Sequence, residues 1–172
     1  MQIKDLQRFP PGHPPSPYEA RVPVEVAGQC GVGELSAGLE LVAVGWLGTS
    51  APTTGPVPEK CVDRLLDAYG HGLIISDGTK GWHDCQICWP PQILVDGTMT
   101  HPKVRWRKRD FELYGHGHYL LQRENIVYMC PALTAHYIVH HYYQPPDEFV
   151  RAVMEGTFLT VQDLEFEERV TQ

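Results

Sequence analysis

No apolar run in this chain approaches the roughly 18–20 residues that a membrane-spanning helix needs. The opening stretch, MQIKDLQRFPPGHPPSP, has no apolar core of the kind a secretory leader carries, so no export signal is expected. A basic excess is lacking too. Fourteen Lys and Arg stand against 21 Asp and Glu, and the net charge of −7 argues against a general nucleic-acid binder. The chain contains no P-loop, no G-x-G-x-x-G at a strand–helix junction, no G-x-S-x-G and no H-E-x-x-H. Cysteine is sparse and odd in number, at positions 30, 61, 85, 88 and 130. That argues against a disulfide framework and for a reducing, cytoplasmic compartment, with thiols used for packing or for metal.

What remains is an ordinary globular composition. With 172 residues, 42% hydrophobic and 20% charged, the chain suits one domain with its own core. Histidine is plentiful. Five of the nine fall between His116 and His141, and such clustering is where chemistry is expected.

The pattern along the chain predicts an α+β domain over residues 19–172, preceded by a proline-rich extended arm at 1–18. ARVPVEV alternates like an edge strand, and the apolar run at 39–47 reads as a buried one. PEKCVDRLLDAYG is a helix, with Val62, Leu65, Leu66 and Tyr69 on one face and Gly70 able to close it. LIIS and QILV read as short strands, and KVRWRKRDFELYG contains another. HYLLQRENIVYMC reads as two strands around an Arg-Glu-Asn turn. PALTAHYIVHHYY reads as a helix from Pro131, and PPDEFVRAVMEG as a third helix ending at Gly156. The acidic tail is a last strand or a frayed end. Two GHG triplets, in YGHG at 69–72 and 114–117, read as turns that need positive φ. The expected sheet is small and mostly antiparallel.

The motif with the most chemical content is Cys85-Gln-Ile-Cys88. A tight C-x2-C turn can aim both sulfurs at one ion at the roughly 2.3 Å of a zinc–thiolate bond. Trp89-Pro90-Pro91 follows at once, and two prolines oppose the helix that a thioredoxin-like redox pair requires. The second half of a tetrahedron is available at His136 and His140, spaced H-x3-H on a helix and so close to one face. The expected ligand set is therefore Cys85, Cys88, His136 and His140. It has the logic of a Cys2His2 finger, but the 47 residues between the pairs must hold strands of their own. Other sets, using His83, His116, His118 or Cys130, stay open, as does plain burial of these residues.

Two further features carry alternatives. His116, His118 and His141 are candidate proton carriers if water replaced one ligand and the zinc served a hydrolase. Lys103, Arg105, Arg107, Lys108 and Arg109 surround Trp106, and residues 103–109 are the segment a nucleic-acid binder would use. A solvated strand face whose Arg stems cover the aromatic is the favoured reading, given the net charge of −7. Glu59, Glu112 and Glu124 are candidate acids that no spacing gathers.

Residues 81–88 and 126–153 resemble a loose group of small bacterial proteins without assigned function. Their pattern runs H-x-C-x2-C, a Gly-rich strand, then H-Y-x3-H-x-Y-x-P-P-x-x-F. His83, Cys85, Cys88, His136, Tyr137, His140, Tyr142, Pro145, Pro146 and Phe149 match it, while the doublet His140-His141 leaves the spacing to Tyr142 open. The resemblance covers about a third of the chain, stops short of residues 1–40, and implies that knuckle and histidine helix form one unit. It implies no activity. The leading expectation is a small cytosolic zinc-stabilised protein that binds a macromolecular partner, with an immunity-type inhibitor suggested by size and acidity.

Overall fold

The computed structural model describes residues 5–9, 21–26, 29–47, 52–76, 85–88, 103–113 and 117–168. Most of the N-terminal arm, His83, His116 and the QILV segment lie outside them.

A five-stranded sheet forms the centre. Its order is β1 (Gln7–Phe9), β4 (Glu40–Ala43), β8 (Ile126–Pro131), β7 (His118–Arg123) and β9 (Thr157–Phe158). The β4–β8 pair is parallel and the others are antiparallel. Alternation along the strands buries both faces. Val42, Tyr119, Leu121, Tyr128 and Cys130 point to one side, and Leu41, Ala43, Leu120, Val127 and Met129 to the other.

Three helices pack on the first face. α1 (Glu59–Gly70) contributes Cys61, Val62, Leu65 and Leu66, as its periodicity predicts. α2 (Thr134–His141) is buried along its first five residues. α3 (Asp147–Glu155) sets Phe149, Ala152 and Val153 into the same core, with Asp147 and Glu148 in its first turn opposing the helix dipole favourably. Tyr119 fixes α1 to the sheet, its hydroxyl donating to the Leu65 carbonyl at 3.0 Å. The three helices and the mostly antiparallel sheets make the α+β fold expected from the pattern.

Two smaller sheets complete the chain. β2 (Arg21–Val26) is the edge of a sheet ordered β10–β3–β2, with β3 at Gln29–Glu34 and β10 at Glu165–Glu168. Pro23 therefore sits on an edge strand, where its missing N–H is tolerated. β5 (Lys103–Trp106) and β6 (Arg109–Glu112) form a hairpin that packs β5 against α2.

Several details depart from the sequence reading. Residues 7–9 are a strand on the domain, anchored by Asp5, whose Oδ1 accepts from the Gly45 N–H and Oδ2 from the Tyr143 hydroxyl, both at 2.7 Å. Pro131 ends β8, and α2 begins only at Thr134, whose hydroxyl donates to the Pro131 carbonyl. LIIS contributes a single bridge, Ile75 to His118. KVRWRKRDFELYG is a hairpin because Arg107 and Lys108 both adopt positive φ, +46° and +64°. Arg107 is held there by a forked ion pair with Asp63 of α1 at 2.8 and 2.9 Å, while the Trp106 indole donates to the same carboxylate. α1 does end at Gly70, as expected, with His71 as its C-cap, and the positive φ falls just beyond it at Gly72. Gly117 also takes positive φ, at +119°, and a Cβ there would meet the Ile75 carbonyl oxygen at 2.8 Å.

Candidate metal centre

Four side chains from two distant segments converge. Cys85 precedes and Cys88 ends the 3-10 turn Gln86–Cys88, closed by the Cys88 N–H donating to the Cys85 carbonyl at 3.2 Å. α2 supplies His136 from its buried stretch and His141 from its last turn. The two sulfurs and two imidazole nitrogens all lie within 4.8 Å of one another, so the four residues could hold a metal ion.

The distances test that possibility. His136 Nε2 and His141 Nε2 are 3.3 Å apart. Cys88 Sγ is 3.3 Å from His136 Nε2 and 3.1 Å from His141 Nε2, and Cys85 Sγ is 3.2 Å from His141 Nε2. A tetrahedral ion with nitrogen bonds of about 2.05 Å and sulfur bonds of about 2.3 Å separates two nitrogens by about 3.3 Å and a nitrogen from a sulfur by about 3.6 Å. The nitrogen–nitrogen contact matches its edge, and the nitrogen–sulfur contacts are about 0.3–0.5 Å shorter than theirs. Hydrogen bonds alone do not account for them. A ring nitrogen offers one proton or one lone pair, yet three polar atoms approach His141 Nε2. A central cation would satisfy all of them at once.

The protonation tendencies agree. Burial, then the neighbouring His140 and His141, push His136 down to about 4, so its ring stays neutral with a lone pair available. The same causes, burial and then His140, lower His141. Cys88 is pushed up to about 11 by burial and by the adjacent Cys85. A thiol that resists ionising becomes a thiolate when a cation shares its charge. His136 Nδ1 is buried without a hydrogen bond of good geometry, and the main chain of Lys103 on β5 is the backbone group acting on that ring.

Three of the four expected ligands are in this cluster. The fourth position belongs to His141 where the spacing pointed to His140. The His140 ring does lie beside that of His136, 4.9 Å between centroids, as residues four apart on a helix should. It is exposed, however. His141 reaches inward because α2 stops there: Tyr142 turns left-handed (φ 54°), and its N–H caps the helix on the Tyr137 carbonyl. The doublet His140-His141 was the available signal, and only the position of the helix end decides between its members.

The remaining candidates are placed elsewhere. His118 is buried in β7, bridged to Ile75, and Cys130 is buried in β8. Cys61 and Cys130 are each pushed up to about 12 by burial, which makes them packing thiols. In the basic segment, Lys103 pairs with Glu112, Arg105 with Asp110, and Arg107 with Asp63 and Glu59, while Arg109 lies 4.9 Å over the Phe111 ring. Two cavities, of about 470 and 260 Å³, flank α3 and α1, and neither lining includes a cysteine or histidine. No helix among the described residues is long and apolar enough to cross a membrane.

A family described as a domain of unknown function (DUF7919) matches residues 4–154. The chain belongs to the DUF7919 family. The match takes in both the knuckle and the histidine helix, and it also reaches β1, beyond the third of the chain that the sequence pattern connected. No curated protein and no solved structure matches.

Proposed function

We propose that this DUF7919 domain binds one zinc ion through Cys85, Cys88, His136 and His141 as a closed structural site. The observation that carries the reading is the convergence of two thiols and two imidazoles whose ligand atoms all lie within 4.8 Å of one another. Two thiolates and two imidazoles select zinc over harder ions such as magnesium or calcium. Four protein donors leave no coordination position for a water nucleophile, which supports a structural role over a hydrolase. The ion joins the turn at 85–88 to α2 across 47 intervening residues, and metal binding is then part of folding.

The working activity in this reading is recognition of a macromolecular partner in the cytoplasm. Support comes from Tyr142, which is 72% exposed next to ligand His141 and is the exposed large hydrophobic among the described residues. Aromatic residues of this kind anchor interfaces. The ion pairs that Lys103, Arg105 and Arg107 make with Glu112, Asp110 and Asp63 count against a phosphate-gripping surface there.

Chelation tests the site. Stripping zinc from the folded protein should remove at least about 3 kcal/mol, a fall in Tm of about 6–12 °C for a chain of this size. Readdition of zinc should restore it. An unchanged melting curve after complete removal would refute a structural ion.

A further inference from the structure

We infer that the Cys85–Cys88 pair is a peroxide-responsive release for the metal, so that oxidation unties the knuckle from α2. The inference rests on the zinc site proposed above. Cys85 is buried at 5% exposure, while Cys88 is exposed. One thiolate of the site is thus open to a small oxidant, and its partner waits behind it. The turn is already closed between the two residues, and their sulfurs belong to one cluster within 4.8 Å. A two-residue C-x2-C spacing permits a disulfide with little backbone movement, and a disulfide sulfur is a poor zinc ligand.

The chemistry balances with hydrogen peroxide as the oxidant. Cys88 Sγ attacks one peroxide oxygen; an S–O bond forms, the O–O bond breaks and hydroxide leaves. Cys85 Sγ then attacks Cys88 Sγ; the S–S bond forms, the S–O bond breaks and a second hydroxide leaves. Two protons from solvent convert the hydroxides to water. The sulfur pair loses two electrons, the peroxide gains two, and the zinc ion departs with its charge unchanged.

The other described thiols do not compete. Cys61 and Cys130 are fully buried in the core beneath α1 and β8. Among the described thiols, oxidation is directed to the pair whose ligand bonds hold the turn to the helix. Loss of the ion leaves His136 and His141 facing each other at 3.3 Å without a cation between them.

The test uses the intact zinc-loaded chain, with its zinc content measured first. That measurement separates the two readings: a protein that carries no zinc at the start fails the site itself. A small molar excess of hydrogen peroxide should then release zinc to a chromophoric chelator, one ion per molecule. Mass spectrometry should find two hydrogens lost from the peptide that contains residues 85–88, and dithiothreitol with zinc should reverse both changes. Cys88→Ser, if it folds and retains zinc, should lose the peroxide response. The inference is overturned if zinc stays bound under peroxide, or if Cys88 goes to sulfinic or sulfonic acid without a bond to Cys85.

Discussion

His141 Nε2 lies 3.1 Å from Cys88 Sγ, across 53 residues of chain, while the adjacent His140 ring stays at the surface. The relationship depends on where one helix ends. Tyr142 in a left-handed conformation stops α2 and lets the last histidine swing under it. Moving that stop by one residue would exchange the two histidines. Replacing Tyr142 by Gly should therefore keep the cluster, since Gly accepts positive φ more readily than Tyr. Replacing it by Val, which resists that conformation, should weaken zinc affinity measurably in a competition titration with a chelating dye.

The N-terminal strand should matter to stability despite its length. Asp5 accepts from the Gly45 N–H and from the hydroxyl of Tyr143, a residue 1% exposed. Asp5→Ala leaves the Tyr143 hydroxyl without its acceptor and should cost about 1–2 kcal/mol. Urea unfolding of the variant would measure it, and a loss below about 0.5 kcal/mol would show that β1 is not anchored this way.

The β5–β6 turn holds strain that can be relieved at one position. Both Arg107 and Lys108 have positive φ, but only Arg107 grips Asp63. Lys108→Gly should stabilise the protein by about 0.5–1 kcal/mol, because Gly suits this hairpin turn. Arg107→Gly should not, since it also removes the forked ion pair. Thermal unfolding of the two variants side by side checks the contrast.

Alkaline pH should destabilise the fold through its packing thiols. Cys61 and Cys130 are held to about 12 in the fold, against an ordinary value of 9.0. Between those values the unfolded chain releases protons that the folded chain keeps. Stability is therefore full below about pH 9 and falls as pH rises, by about 1.4 kcal/mol per pH unit for each thiol. Cys61→Ala, whatever its cost at neutral pH, should flatten the slope between pH 9 and 10. Denaturation curves at three pH values measure that slope, and identical slopes in variant and parent would contradict the assignment.

Much of this was legible from the residues because local pattern and burial agreed. Val62, Leu65 and Leu66 marked the buried stripe of α1, and Pro146 with Asp147 and Glu148 marked the start of α3. Type and spacing alone pointed to Cys85, Cys88 and His136, which do lie in the one cluster. The parts that were not legible depend on distant partners. Arg107-Lys108 is no turn signal until Asp63 holds it, β1 is a strand only because β4 offers an edge, and His141 displaces His140 only because α2 ends at Tyr142. The parallel pairing of β4 with β8 is likewise a contact between segments more than 80 residues apart.

The central claim is that one zinc ion sits among Cys85, Cys88, His136 and His141. Elemental analysis of protein purified without chelators, alongside His140→Ala and His141→Ala, tests it most directly. About one equivalent of zinc is expected in the parent and in His140→Ala, with clear loss in His141→Ala. Less than about half an equivalent in the parent, or retention in His141→Ala with loss in His140→Ala, would contradict it.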